Sequence, residues 1–334
     1  MAALGDPRLP FGVLGGLALG VAAGVLATVL ALPGARIEWE GVPVAAGTLA
    51  APGESQASPV FPAPPAERAA DRHAPPADPL PQLLEPGPYG ALPRIAPDGL
   101  TPLLAYARTD PAPPEGVPWI GLVVRGLGLS RRHTEAALAL PPQIALAFSP
   151  YAEALPAAMR AARRWGHEVM LGLPVDTGDP LVDPGPLAVV PGAPEVEARL
   201  LRLLARGQGY GAVLLAHADG SAADSLAPVL AQLRGRGLGI VLAPPANPAA
   251  ATERVSGAGV QAVVVLDGEP DPAAIDFAFG RLEAAALKTG AAIGLMDGLP
   301  LALERLAQWL PGLAHKGFAL VPPGRILQRL GEGP

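Results

Sequence analysis

The sequence predicts an α/β fold in which a (β/α) barrel has seven or eight strands. Two observations lead to this prediction. Short apolar runs rich in branched residues recur from Trp119 onward, as expected of strands that are buried on both faces. Amphipathic stretches separate these runs at a spacing of roughly 25 residues, which favours parallel strands joined by right-handed helical crossovers. An open, doubly wound sheet is the alternative architecture.

Eight apolar runs are the predicted strands: Ile120–Val124, Gln143–Phe148, Glu168–Leu173, Ala212–Ala216, Gly239–Ala243, Gln261–Leu266, Ala291–Met296 and Phe318–Val321. Seven amphipathic segments are the predicted helices: Arg131–Leu140, Tyr151–Trp165, Glu195–Arg206, Ala222–Arg236, Asn247–Ser256, Pro272–Thr289 and Leu301–Leu313. The loop Arg125–Gly128 is expected to end the first strand. Asp271 before Pro272 marks a helix start, because a short polar side chain caps the first turn and proline fits the first helical position. Ser149 before Pro150 marks another in the same way.

Three parts are expected along the chain: a membrane anchor at 1–36, a proline-rich linker at 37–117 and the barrel domain at 118–330. Phe11–Leu32 is an uncharged run of 22 residues. At a helical rise of about 1.5 Å per residue it can cross a hydrocarbon core of ~30 Å. No small-residue cleavage site follows, so an uncleaved anchor is favoured over a cleaved signal peptide. The positive-inside bias predicts a single pass through the inner membrane, with the domain in the periplasm or otherwise outside the cytoplasm.

Glycines recur at every fourth position along the predicted anchor. They are Gly12, Gly16, Gly20 and Gly24. This spacing places them on one helix face and allows two helices to approach closely in a membrane, so self-association is one interpretation. The general glycine richness of the chain is the other.

The linker is marked by its proline content. Between Ala51 and Pro118 lie 18 of the 43 prolines of the chain. Because proline lacks a backbone N–H and has a fixed φ, the segment is predicted to be an extended, largely disordered spacer. Residues 92–108 differ, since they carry spaced apolar side chains and a tyrosine, and they are interpreted as an arm that can pack on the domain.

Composition excludes several classes of function. Half of the residues are hydrophobic and 16% are charged, which is enough for a large core. The net charge of −6 argues against nucleic acid as the main partner. There are no cysteines, so thiol nucleophiles, thiolate metal sites and disulfides are excluded.

The working face of a (β/α) barrel is the carboxyl end of its strands. Residues predicted at this face are Arg125, Asp176, His217, Asp219, Asp267, Glu269 and Asp297. Arg125, Gly126, Gly128 and Asp176 are the candidate binding residues. The backbone N–H groups of the two glycines, at a helix N-terminus beside Arg125, can hold an anion. A tight turn with no ligand is the alternative reading of the same glycines.

Four stretches of the predicted barrel match, position by position, the motifs of one protein family. Val123-Val-Arg-Gly-Leu-Gly-Leu-Ser130 stands where the family has Ile-Asp-Asp-Leu-Gly, and Gly166-His-Glu-Val-Met-Leu-Gly-Leu-Pro174 resembles Gly-His-Glu-Val-Leu-x-His-Leu-Pro. Ala218-Asp-Gly-Ser221 stands at His-Met-Gly-Ser, and Ala292-Ile-Gly-Leu-Met-Asp297 stands at Ala-Ile-Gly-His-Pro-His. Together these stretches resemble the divergent polysaccharide deacetylase family. The resemblance covers Trp119 to about Leu327 and implies a distorted (β/α) barrel of the polysaccharide deacetylase type.

The resemblance also implies a chemistry, and this chain departs from it. Active members are expected to hold a divalent metal, usually zinc, which activates water against the acetyl group of a sugar. The positions of the implied metal ligands and acid–base groups are occupied here by Arg125, Gly126, Gly172, Ala218, Leu295 and Asp297. A catalytic zinc needs three protein ligands, and a guanidinium repels a dication. The family landmarks that persist in this chain, such as His167 and Glu168, are interpreted as structural.

Three hypotheses follow from the sequence. The preferred one is a membrane-anchored envelope protein with a polysaccharide deacetylase-like barrel that has lost metal hydrolysis, has no cofactor, and binds a glycan or an envelope protein. The alternative is an active glycan deacetylase with a rearranged, zinc-holding site of His217, Asp219 and Asp297. The third is a purely structural envelope component whose working parts are the anchor and the spacer.

Overall fold

The computed structural model of the chain describes residues 61–175, 194–216, 223–243 and 263–331. The predicted anchor Phe11–Leu32 and the predicted helix Asn247–Ser256 lie outside these ranges. Within them, no helix has both the length and the apolar character needed to cross a bilayer.

The structure confirms the parallel barrel. Its strands are β1 (Leu84–Gly87), β2 (Gly90–Pro93), β3 (Trp119–Leu127), β4 (Ala145–Phe148), β5 (Val169–Pro174), β6 (Ala212–Ala216), β7 (Gly239–Leu242), β8 (Val263–Val265), β9 (Ala291–Met296) and β10 (Ala319–Leu320). Seven of them form a nearly closed parallel sheet in the order β7-β6-β5-β4-β3-β9-β8 across the described ranges. β10 pairs in parallel with the start of β3, while β1 and β2 form a separate antiparallel hairpin.

Helices follow most strands and cover the outside of the sheet. They are α1 (Ala66–Ala69), α2 (Pro102–Ala105), α3 (Arg131–Leu138), α4 (Leu155–Arg164), α5 (Pro194–Leu204), α6 (Ala223–Gly235), α7 (Pro272–Thr289), α8 (Pro300–Trp309) and α9 (Pro323–Gly331). The start of α7 is as predicted, because the Asp271 side chain accepts a hydrogen bond from Ala274 N at 2.9 Å. The short helix α9 had no counterpart in the sequence prediction.

Alternation along the strands separates two cores. In β3, Leu122 and Val124 face the helices, whereas Val123 belongs to the cluster inside the barrel. Ala145 and Ala147 of β4 also point inward, and their small side chains suit the narrow interior. The interior cluster also includes Ile326 and Leu327 of α9. Ile326 lies beside Gly121 near the start of β3, and Leu327 lies beside Gly239 at the start of β7, so α9 closes the amino-terminal end of the barrel.

A buried carboxylate joins the elements at this amino-terminal end. Glu168 is 4% exposed, and its two oxygens accept hydrogen bonds from Arg108 N at 2.9 Å and from Gly324 N at 2.7 Å. The Arg108 guanidinium, itself buried, donates to Asp71 at 2.9 Å, to Asp110 at 2.7 Å and to the Gly166 carbonyl at 2.6 Å. The segment that precedes the barrel is thereby fixed to β5 and α9.

This packing corrects the prediction of a disordered spacer over the part of the linker that the structure describes. Residues 61–117 contribute Leu83, Leu92 and Tyr106 to buried clusters. Leu103 N donates to the Gly237 carbonyl at 3.1 Å and Arg108 N donates to Glu168 Oε1 at 2.9 Å, so the arm at 92–108 packs on the domain. Proline prevents a backbone ladder, but here side chains such as that of Arg108 hold the segment instead, and proline spacing carries no information about them.

Two element boundaries also differ from the prediction. β3 does not end at Val124 but continues through Arg125 to Leu127, which pairs with Phe148 after a register shift. Gly126 makes the shift possible because it adopts φ +73°, a left-handed conformation that side chains disfavour. α4 begins at Leu155 rather than near Ser149, since residues after Ser149 form a turn before the helix.

The substitution Gly280→Ala is expected to raise the free energy of unfolding by about 0.5–1 kcal/mol. Gly280 is exposed in the middle of α7, and a Cβ added there meets no atom within 4 Å. Alanine therefore restricts the unfolded chain without a steric penalty. Chemical denaturation of the two proteins measures the difference, and a destabilised alanine variant would contradict the described geometry.

The substitution Glu168→Gln is expected to change how stability depends on pH. Burial raises the pKa of Glu168 to about 7. Because the folded protein then holds this proton more tightly than the unfolded chain, the contribution is fully present below about pH 4.5 and is lost as the pH rises through about 7. The stability advantage of the wild type over Glu168→Gln should therefore shrink by on the order of 1–3 kcal/mol between these values. Denaturation at several pH values measures it, and a constant difference would contradict the assignment.

Candidate functional site

Three neighbouring strands bring polar residues to the carboxyl-terminal mouth of the barrel. In the register of β3 with β9, Val124 is the partner of Met296, so the next residues, Arg125 and Asp297, lie side by side at the carboxyl end of β9. β8 pairs with the other edge of β9, and Asp267 follows two residues after its end. The order β3-β9-β8 thus places one guanidinium and two carboxylates together.

Arg125 and Asp297 form a two-pronged ion pair across this mouth. Arg125 Nε donates to Asp297 Oδ1 at 2.6 Å, and Arg125 Nη2 donates to Asp297 Oδ2 at 3.1 Å. The side chains are 26% and 42% exposed, respectively. The planar fork of arginine matches a carboxylate in this geometry, so the pair fixes the direction of both groups while leaving one side open to solvent.

Asp267 supports the pair from below. Its Oδ2 accepts a hydrogen bond from Asp297 N at 2.7 Å. Its Oδ1 is buried and has no hydrogen-bond partner among the described parts of the chain. Burial raises the pKa of Asp267, and the negative charge of Asp297 adds to the rise, whereas the bond from Asp297 N and the charge of Arg125 oppose it. The mouth therefore contains a carboxyl group that keeps its proton to higher pH than an ordinary aspartate does.

The two candidate glycines serve the turn that follows β3. Gly126 has a positive φ and open space where a Cβ would stand. Gly128 N donates to Thr134 Oγ1 at 2.9 Å, and that hydroxyl donates to the Ser130 carbonyl at 2.8 Å. The N–H group of Gly128, one of the two proposed to bind an anion, is thus already hydrogen-bonded to the first turn of α3. This favours the interpretation of the two glycines as a tight turn.

Only some of the site residues predicted from the sequence lie in the described part of the chain. It brings Arg125 and Asp297 together, and it places Glu269 at an exposed position in the loop after β8. His217, Asp219 and Asp176 lie outside the described residues. Asp267 was expected at this face only because it follows a strand, and no motif distinguished it. Its burial and its bond to Asp297 depend on the pairing of β8 with β9.

His167 is structural, as the sequence interpretation holds. The ring is fully buried, with Nδ1 2.8 Å from the Ile144 carbonyl and Nε2 3.0 Å from the Leu138 carbonyl. Burial lowers the pKa of His167 to about 4. One nitrogen faces the carbonyl just before β4 and the other faces the carbonyl at the end of α3. The ring therefore bridges these two elements and is not directed at the mouth.

The residues described at the mouth do not fit a zinc ion. Both oxygens of Asp297 are engaged by Arg125, and one oxygen of Asp267 is engaged by Asp297 N. In the parts of the chain that the structure describes, no three side chains of the ligand types are grouped for a metal. At Gly172 in β5, an added Cβ would stand 3.2 Å from the Phe148 carbonyl oxygen, which leaves little room for the histidine that the resemblance implies.

Comparison with known proteins agrees with this fold. Residues 122–327 match the sequence profile of the divergent polysaccharide deacetylase family, which is more than half of the chain. The chain is also similar to the crystal structure of an uncharacterized protein from Agrobacterium tumefaciens, with 30% sequence identity and a TM-score of 0.62. The similarity covers 71% of this chain and 99% of that one. No curated protein matches the chain.

A parallel α/β barrel with polar groups at its carboxyl-terminal mouth defines the class of protein. Within this class, the chain belongs to the divergent polysaccharide deacetylase family, as the sequence motifs predicted. It is therefore a deacetylase-like protein related to carbohydrate chemistry.

Proposed function

We propose that the protein binds a glycan at the barrel mouth without metal-dependent hydrolysis. The observation that supports this proposal most is the ion pair of Arg125 with Asp297. By the family resemblance, these two positions hold an aspartate and a histidine in active members. Here a fixed cation stands beside two carboxylates, so the charge that a metal would supply is part of the chain itself.

The same groups suit the hydroxyl groups of a sugar. Arg125 uses two of the five N–H donors of a guanidinium on Asp297, and the remaining donors can bond to ligand oxygens. Asp297 has 42% of its side chain exposed and accepts hydrogen bonds on its open side. A rigid array of donors and acceptors favours a polar ligand of defined geometry.

A titration with acetylated chito-oligosaccharide, followed by calorimetry, tests the proposal. We expect saturable binding to the wild type and binding about 10–100-fold weaker in Arg125→Met, since hydrogen bonds to a charged group are removed. Arg132→Met, at an exposed position on α3, is the matched control and should bind as the wild type does. Equal affinity in Arg125→Met, or no saturable binding to the wild type, would contradict the proposal.

A second candidate function is an active glycan deacetylase with His217, Asp219 and Asp297 in its site. The observation in its favour is Asp267, because a buried carboxyl group with a raised pKa in a barrel mouth suits acid–base catalysis. This function predicts acetate release by the wild type and its loss in His217→Ala. An inactive wild type, or an unchanged rate in the variant, removes it.

We further propose that the chain is anchored by residues 11–32 in the inner membrane, with its barrel in the periplasm, where the glycan or an envelope protein is its partner. The argument is the uncharged run Phe11–Leu32. Because the chain has no cysteine, Glu115→Cys introduces a single thiol at an exposed position. A membrane-impermeant thiol reagent should label this variant in spheroplasts. Labelling that requires lysis of the inner membrane would contradict the placement.

A further inference from the structure

A groove of about 290 Å³ lies on the outer helical layer between α7 and α8. It is separate from the residues of the mouth, and the proposed function does not use it. Its walls are the facing sides of the two helices, and Lys316, in the turn after α8, stands at one end.

One wall of the groove is aromatic. The rings of Phe279 and Trp309 are stacked, with centroids 4.6 Å apart and planes 9° from parallel. Phe279 is buried, and Trp309 Nε1 donates to Glu283 Oε1 at 2.7 Å. The indole is therefore held in one orientation at the surface of the groove, which lowers the entropy lost when a ligand packs against it.

Fixed charges stand at the two ends. Lys316 Nζ donates to the same Glu283 oxygen at 2.7 Å, and at the other end Arg305 Nε donates to Asp276 Oδ1 at 2.9 Å. Arg305 Nη1 also donates to Gln308 Oε1 at 2.6 Å. The charges of the two acidic and two basic side chains cancel, so the groove offers oriented hydrogen-bond donors and acceptors without a net charge. This combination disfavours an ionic ligand and an extended apolar peptide.

The centre of the groove is open because of a glycine. Gly280 lies in α7 between the two charged ends, and space for a side chain is empty there. Glycine is unfavourable in the middle of an exposed helix. Its presence at a position where a side chain would enter the groove is consistent with a ligand.

We propose that this groove is a second carbohydrate-binding site that takes one neutral sugar ring of a glycan chain. The C–H face of a pyranose packs against the Trp309 indole, which the buried Phe279 ring supports, and its hydroxyl groups bond to the carboxylates of Asp276 and Glu283 and to Arg305. The volume is at the lower limit of ligand pockets, which suits a single ring. This proposal goes beyond the proposed function of the mouth and does not depend on it.

The test uses Gly280→Leu in the purified full-length protein, with chitotetraose and cellotetraose as probes. Leucine fills the groove but stands on the exposed face of α7, where a Cβ meets no neighbour, so the fold is retained. In the Arg125→Met background, where the mouth is weakened, we expect Gly280→Leu to lower the affinity for one of the probes at least tenfold. The unfolding midpoint should be no lower than that of the parent protein. Arg281→Leu places the same side chain on the same helix outside the groove and should bind as the wild type does.

Titration in the Arg125→Met background separates the two sites. If the groove binds sugar, Arg125→Met retains saturable binding, and adding Gly280→Leu removes it. The proposal is overturned if neither probe binds to the Arg125→Met protein, or if adding Gly280→Leu leaves the affinity of that protein unchanged. Binding that depends on Arg125 alone would overturn the groove site while supporting the mouth site.

Discussion

Arg125→Asp is expected to lower the free energy of unfolding by about 1–3 kcal/mol near neutral pH. The substitution removes the cation that bonds to both oxygens of Asp297 and places a third carboxyl group beside Asp267. Like charges at this distance repel, and Asp267 is already hard to ionise because it is buried. The partial exposure of the Arg125 and Asp297 side chains keeps the effect below that of a fully buried pair.

The loss of stability in Arg125→Asp is expected to depend on pH. In the wild type, the charge of Arg125 opposes the rise in the pKa of Asp267. Without it the pKa rises further, so the destabilisation should shrink as the pH falls and the carboxyl groups take up protons. Chemical denaturation across the acidic range measures both effects.

A charge swap is the matched control for Arg125→Asp. The double variant Arg125→Asp with Asp297→Arg restores opposite charges at the same two strand ends. It should recover more than half of the lost stability. A double variant as unstable as the single one would contradict the direct pairing of the two side chains.

Arg108→Met is expected to lower the free energy of unfolding by about 3–5 kcal/mol. Arg108 is 4% exposed, and its guanidinium bonds to Asp71, to Asp110 and to the Gly166 carbonyl. Removing it leaves the two carboxylates and a buried carbonyl without their donor, which costs more than the loss of a surface pair. The segment 61–117 should also become sensitive to proteolysis, because this cluster joins it to the barrel.

The control for Arg108→Met is Arg160→Met. Arg160 pairs with Asp78 at 3.1 Å and also links the 61–117 segment to the barrel, but the two side chains are 54% and 71% exposed. Its loss should change stability by less than about 1 kcal/mol. Equal effects of the two substitutions would show that burial does not distinguish the two arginines.

The barrel could be predicted from the sequence because the signal is local. Apolar runs such as Ala291–Met296 and the cap at Asp271 depend on neighbours along the chain, and both are found in place. The motif around Gly166–Pro174 likewise identified the family. In contrast, the end of β3 and the start of α4 were misplaced, since a register shift at Gly126 and a turn after Ser149 depend on what the strand pairs with.

The sequence predicted which residues lie at the site but not how they are arranged. Arg125 and Asp297 were identified one by one as replacements of family ligands, yet they are 172 positions apart in the chain. Only the register of β3 with β9 makes them partners. Asp267 has no motif, and its importance comes from burial and from one backbone hydrogen bond. The sequence also did not predict that residues 61–117 are packed on the barrel. Arg108 holds this segment through hydrogen bonds to residues that are distant in sequence.

The most direct test of the account is the zinc content of the purified protein, measured together with acetate release from acetylated glycan. A chain whose own guanidinium occupies the mouth should contain no stoichiometric zinc after equilibration with the metal and should release no acetate, while still binding the glycan. Stoichiometric zinc that supports acetate release, and that is lost on His217→Ala, would contradict the account.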